Sequence, residues 1–316
     1  MGRDFICPKV IGGLGNQLFV LMTAYAFAKE EKTELVIDPR NYAACPGRRV
    51  NIYWDTFLVN LKPFVQYGHR PKKDNVIKEA QCFVYKKLVR NQKGRTQLRG
   101  YFQSYKYFHK YRTDILAFFE LDYTIYNYLH NKYEWLDLHH QALPLKADLD
   151  IAIQPISVPT EKPIAIAIHV RRGDYVLKGH YVLPLTYYQN CLEQVKDQLI
   201  SDMKTGRRVI VAIFSDDTNW CQSFLLPMIQ SYFTNILPSA DSVLQSIIVR
   251  GEKDHVELYM LQYCDIYFLA NSTFSWWGAY LNRKKEVKVF MPYRWMTANH
   301  PCPPELVCPG WKIVNY

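Results

Sequence analysis

The clearest pattern in the chain is the run IAIAIHV at residues 164–170, where apolar side chains occupy nearly every position. A strand wetted on one face alternates apolar with polar residues, whereas one covered on both faces reads continuously, as this one does. The same grammar repeats downstream. Helical spacing is expected near 185–202, then a strand through RRVIVAIFSDD (207–217) and a helix from about Asn219. SIIVR (246–250), DIYFLA (265–270) and VKVFM (287–291) read as further strands. The helices DHVELYMLQYC (254–264) and STFSWWGAYLN (272–282) separate them. Apolar strands alternating with helices predict a parallel sheet covered on both faces.

The first half opens in the same way. CPKVIGG (7–13) predicts a short strand meeting a glycine turn, NQLFVLMTAYAFAKEEK (16–32) a helix, and ELVID (34–38) the next strand. Residues 42–110 are mixed and rich in Tyr and Phe, and 111–140 read as mostly helical. The stretch 143–163 holds four prolines and little periodicity, which marks a connection between domains. A chain of 316 residues exceeds one ordinary core. The expectation is an α/β fold of two Rossmann-like domains, residues 1–155 and 156–316, with a central cleft. In such sheets ligands bind outside the carboxyl ends of the strands, so those ends carry the candidate chemistry.

Charge narrows the partners. Lys and Arg number 39 against 29 Asp and Glu, a formal net charge of +10 that favours phosphate-bearing ligands. The basic residues lie in scattered groups such as RPKKD (70–74), KKLVRNQKGR (86–95) and LNRKKEVK (281–288) rather than one stripe, which argues against nucleic acid. The 24 tyrosines serve either packing or sugar stacking. Eight dispersed cysteines show no Cys-x-x-Cys, so no zinc site is expected; Cys302 and Cys308 could pair only in an oxidising compartment. Nothing at the start reads as a signal peptide, Ile6 breaks a myristoylation motif, and no apolar run approaches the roughly 20 residues of a membrane span. The chain as it stands is expected to be soluble, whether cytoplasmic or the catalytic part of a membrane-anchored secretory enzyme.

Three strand ends concentrate polar groups. His169, Arg171, Arg172, Gly173 and Asp174 follow the most buried strand. They form either a loop tied by an Arg–Asp pair or a guanidinium fork for phosphate oxygens, since two adjacent cations repel unless an anion joins them. In FSDD (214–217), Ser215 precedes Asp216 and Asp217, one of which suits a helix cap and the other the paired N–H donors of guanine. In LANSTFSWWGAYL (269–281), Asn271, Ser272 or Thr273 would cap a helix whose unpaired amides suit a diphosphate, with Trp276 and Trp277 packed on the sheet. GGLGNQLF (12–19) lacks the G-x-G-x-x-G spacing; it offers a tight turn at Gly15 beside the amides of Asn16 and Gln17, either plain strand-to-helix geometry or a ligand-facing wall. The D-x-D of ADLD (147–150) falls in the connection, which disfavours metal-dependent sugar transfer.

Taken in order, GGLGNQLF, RGYFQSYKYF (99–108), IHVRRGDY, FSDDTNWC (214–221) and ANSTFSWWGAYLN (270–282) resemble the α-1,2-fucosyltransferase family over residues 10 to 295. The resemblance implies a GT-B-like fold and inverting, metal-independent transfer of L-fucose from GDP-β-L-fucose to the 2-hydroxyl of a galactose-terminated glycan. It implies that Arg171 and Arg172 hold the diphosphate. His169 and an aspartate of the SDD block would contact the nucleoside, and a Ser or Thr of the NST block would reach phosphate. Gly15, Asn16 and Gln17 would face fucose or acceptor. Asp174 and His169 are both candidates for the base. The alternatives are another sugar or a protein hydroxyl as acceptor, and, from a different class, a non-catalytic basic module binding anions or nucleic acid.

Overall fold

The structure is a computed structural model in which residues 3–38, 53–66, 75–138, 162–237, 243–297 and 299–316 are described. The connection, the ADLD motif and the RPKKD group lie essentially outside them. Two compact units make up the chain, Met1–Glu120 with Pro303–Pro309, and Leu121–Cys302 with Gly310–Tyr316. The expected boundary at 155/156 also falls outside the described residues.

The first unit carries β1 (Phe5–Pro8), α1 (Leu14–Glu30), β2 (Glu34–Leu35), β3 (Asn75–Lys78) and β4 (Arg95–Arg99), with α2 (Arg112–Phe118) after them. Its strands pair in parallel in the order β2-β1-β4-β3. Fourteen of the 17 residues of α1 are buried, so the helix is covered nearly all round.

The second unit opens with α3 (Tyr123–Lys132), β5 (Ile164–Val170) and α4 (Gly173–Lys178), then α5 (Leu185–Glu193) and α6 (Lys196–Lys204). β6 (Val209–Ser215), α7 (Thr218–Trp220), a π-turn at Cys221–Leu225, α8 (Leu226–Ile236), β7 (Leu244–Ile248) and α9 (Asp254–Leu261) follow. The unit closes with β8 (Ile266–Phe268), α10 (Thr273–Tyr280), β9 (Lys288–Pro292) and β10 (Lys312–Val314). Every residue of β5 is buried, as its apolar run predicts. The core of this unit joins the Ile side chains of β5 to Tyr187, Tyr188, Leu192, Ile229 and Phe290. α9 and α10 approach closely at Gly278, where a Cβ would meet that of Leu261 at 2.5 Å.

All strands of this sheet are parallel, in the order β7-β6-β5-β8-β9-β10. That is the 3-2-1-4-5-6 order of a doubly wound sheet, whose strand order reverses between its first and fourth strands, here β5 and β8. In sheets of this order the reversal point is where ligands bind, at the carboxyl ends of the strands. The arginine loop and the Asn271–Thr273 segment both start there.

Candidate active site

The two arginines are not left to repel one another. Arg171 forms ion pairs with Asp174 at 2.6 Å and Asp216 at 3.0 Å through separate terminal nitrogens. Arg172 uses its Nε instead, donating to Asp217 Oδ2 at 3.1 Å, and its guanidinium carbon lies 4.3 Å from the centre of the Trp220 ring. The other oxygen of Asp216 accepts the Arg172 backbone N–H at 2.8 Å. Three carboxylates therefore balance two guanidiniums, and the charge pattern is pre-set by the protein rather than waiting for an anion.

The SDD block divides its labour within this frame. Ser215 Oγ accepts from the Asp217 N–H, and Asp217 Oδ1 caps α7 by accepting from the Trp220 N–H at 3.0 Å. Asp217 thus spends both oxygens on the protein, and Asp216 spends both on the arginine loop. Each carboxylate oxygen keeps a second lone pair, so a nucleobase read by either aspartate would share an oxygen with these contacts. Gly173 is needed for the fit: a Cβ there would stand 2.8 Å from Asp216 Oδ2.

His169, the penultimate residue of β5, is buried, its ring 5.6 Å from that of Phe274 and its Nδ1 without a hydrogen-bond partner among the described residues. Burial, with a smaller contribution from Arg171, lowers its pKa to about 3. It is neutral at physiological pH, and its low basicity weighs against it as the base. Asp174 stays in reach of solvent beside Arg171 and Lys178.

The Asn271–Thr273 segment is also partly structural. Asn271 is buried, and its amide donates to the carbonyls of Tyr181 at 2.9 Å and Trp295 at 2.7 Å, fixing two loops. Its own carbonyl accepts from the Tyr175 hydroxyl at 2.8 Å, which ties α4 to the start of α10. Ser272 is the N-cap of α10, accepting from the Phe274 N–H. Trp276 and Trp277 are wholly buried, as predicted. No acidic residue stands in the first turn of α10, so the helix N-terminus presents positive potential beside Thr273.

In the first unit the glycine turn brings fewer candidates to a surface than expected. Gln17 and Gly15 are buried, and the Gln17 amide donates to the Gly12 carbonyl at 3.1 Å. That side chain serves its own turn. Half-buried Asn16 accepts from Gln103 at 2.7 Å, which joins the GGLGNQLF and RGYFQSYKYF blocks. Cys302 and Cys308 are both buried. Among the described residues no helix is long and apolar enough to cross a membrane.

Sequence reasoning missed Trp220, Tyr175 and Glu257. Glu257 lies in the first turn of α9, where acids are ordinary, so nothing local marks it. Burial, reinforced by the charges of Asp254, Glu252 and Asp216, raises its pKa from 4.5 to about 8. Between those pH values the unfolded chain has released a proton that the folded one keeps, so stability falls as pH rises through the window. Glu257→Gln removes this cost. Its melting temperature should match the parent near pH 4.5 and exceed it at pH 8 by on the order of 5 °C, read by calorimetry. Equal melting at pH 8 would contradict the burial argument.

The chain is similar to known proteins. The model of glycosyl transferase family 11 matches residues 69–312. The chain belongs to glycosyl transferase family 11. It is 24% identical over 329 residues to an alpha-1,2-colitosyltransferase of Escherichia coli, covering 96% of this chain and 98% of that one. It is 23% identical over 301 residues to a galactoside 2-alpha-L-fucosyltransferase of Caenorhabditis elegans, covering 86% and 66%. Among solved structures, POFUT1 in complex with GDP is similar at a TM-score of 0.50 and 11% identity, over 90% of this chain and 96% of that one. The likeness is one of fold, an α/β, GT-B-like architecture. This family 11 member is a glycosyltransferase, with its arginine pair, SDD block and α10 cap assembled at one sheet edge.

Proposed function

We propose that this glycosyltransferase moves L-fucose from GDP-β-L-fucose to the 2-hydroxyl of a galactose-terminated glycan, inverting the anomeric carbon and working without a divalent metal. The observation that carries this reading is that the Arg171–Arg172 loop follows β5 and α10 follows β8, the two strands flanking the reversal point of the second sheet. A diphosphate leaving group gathers negative charge as the bond from C1 to its oxygen breaks. Guanidiniums and helix amides fixed in advance stabilise that charge with little reorganisation. The carboxylates now holding Arg171 would share it with the phosphates. Neutral His169 suits a hydrogen bond to the nucleoside, and Asp174 becomes the candidate to accept the acceptor's proton.

The 2-linked products in the names of the two relatives support the linkage, and the name of one favours testing colitose as well. The experiment is a donor panel of GDP-linked fucose and colitose against a glycan array, followed by linkage analysis. An α-1,2-fucosylated galactoside is the expected product. Transfer of colitose alone, or fucose at another hydroxyl, overturns the specificity.

Binding can be tested without turnover. GDP should raise the melting temperature by several degrees at 100 times its Kd, ADP and UDP much less, and a chelator should leave the shift unchanged. Equal stabilisation by all three, weakening steeply with salt, would instead indicate a general anion-binding module.

A further inference from the structure

We infer that Trp220 is a positioning residue for Arg172, holding its guanidinium plane so that both terminal amino groups stand ready for a diphosphate. This rests on the reading of Arg172 as a diphosphate ligand. An arginine side chain on a surface loop samples many rotamers, and a fork that must meet two phosphate oxygens loses affinity when it has to be ordered first. Two contacts remove that freedom here. The Nε bond to Asp217 Oδ2 at 3.1 Å fixes rotation about the end of the stem, and the indole face 4.3 Å from the guanidinium carbon fixes the tilt of the plane. One carboxylate serves both partners, because Asp217 Oδ1 accepts the backbone N–H of Trp220. The ring itself packs against the hydrophobic core of the second unit, so it is a rigid support.

The contrast with Arg171 gives the contact its meaning. Arg171 has both terminal nitrogens in ion pairs and lies 5.6 Å from the Tyr175 ring centre, beyond close stacking. Arg172 spends only Nε, and its terminal amino groups make no hydrogen bond to protein among the described residues. Of the two, Arg172 is the arginine whose fork is presented to a ligand before the ligand arrives. A lysine could not replace it, since an ammonium has no plane to stack.

The test compares Trp220→Leu, Trp220→Phe, Arg172→Ala and the double variant Trp220→Leu/Arg172→Ala. GDP affinity is read by titration calorimetry, donor KM and kcat by kinetics. Leucine keeps the packing and loses the aromatic face; phenylalanine keeps both in part. Trp220→Leu should weaken GDP and raise donor KM by about tenfold with kcat within about twofold, and Trp220→Phe should stay within about threefold of the parent. Arg172→Ala should weaken GDP further, and the double variant should be no weaker than Arg172→Ala alone. If Trp220→Leu binds GDP like the parent while Arg172→Ala does not, the positioning role is overturned and the diphosphate reading survives. Effects that add in the double variant also overturn it, since the ring would then act independently of the arginine. If Arg172→Ala itself binds GDP normally, the underlying reading of the site fails.

Discussion

Arg171→Ala is expected to lower turnover by about a thousandfold or more while the protein stays folded, the scale seen when a fixed donor to developing charge is removed. The side chain is only partly buried, 25% exposed, and its partners Asp174 and Asp216 keep access to water, so truncation leaves no stranded charge in the core. Circular dichroism and melting should therefore change little. Arg171→Lys should recover only part of the loss, because an ammonium cannot bridge two oxygens as a fork does. Initial rates with GDP-fucose and the glycan acceptor check both variants. Turnover within a few fold of the parent would remove Arg171 from the mechanism.

The second large effect is expected from a residue without a side chain. In Gly173→Ala the new methyl would lie 2.8 Å from Asp216 Oδ2 and 3.1 Å from its carboxyl carbon. No chemical group is lost, yet Asp216 must withdraw, and with it go the contacts to the Arg172 N–H and the Arg171 guanidinium. A displacement near 1 Å in a positioned group costs up to about a hundredfold in rate, and kcat/KM should fall by roughly that factor. The substitution touches the surface of the unit rather than its core, so melting should move by no more than a few degrees. Unaltered kinetics would show that the Asp216 contacts do not hold the arginines for catalysis.

What the sequence could reveal follows from where physical signals are local. β5 is legible because a strand buried on both faces needs apolar residues throughout, and its observed bounds, Ile164–Val170, match those expected. A helix cap within Asn271–Thr273, realised by Ser272, and the buried Trp pair were legible for the same reason: capping and helix burial act over a few residues. β3 and β4 were not. NVIK is an edge strand with only alternate residues half buried, and RTQLR buries Thr96 and Gln97, polar side chains that carry no apolar period. β10 hid in a proline-rich tail, where a three-residue strand leaves no pattern.

The candidate site divides in the same way. Residue types at strand ends announced charge chemistry, and the order of the blocks gave the family. Arg171 and Asp174 pair locally, but how Asp216 and Asp217 meet the arginines depends on the register of β5 and β6, Val170 beside Ser215, which no local motif encodes. The two arginines read either as an Arg–Asp-tied loop or as a fork for an anion, and folding supplies three carboxylates to them. Trp220 and Glu257 escaped because an aromatic residue after a cap and an acid in a first helical turn are both ordinary until their neighbours are known.

The most direct measurement is a crystal structure of the protein with GDP. The diphosphate oxygens should lie within about 3 Å of the terminal amino groups of Arg172 and within hydrogen-bond reach of Arg171 and the first amides of Thr273–Tyr280. GDP bound elsewhere, with Arg171 and Arg172 still engaged only by Asp174, Asp216 and Asp217, would contradict it.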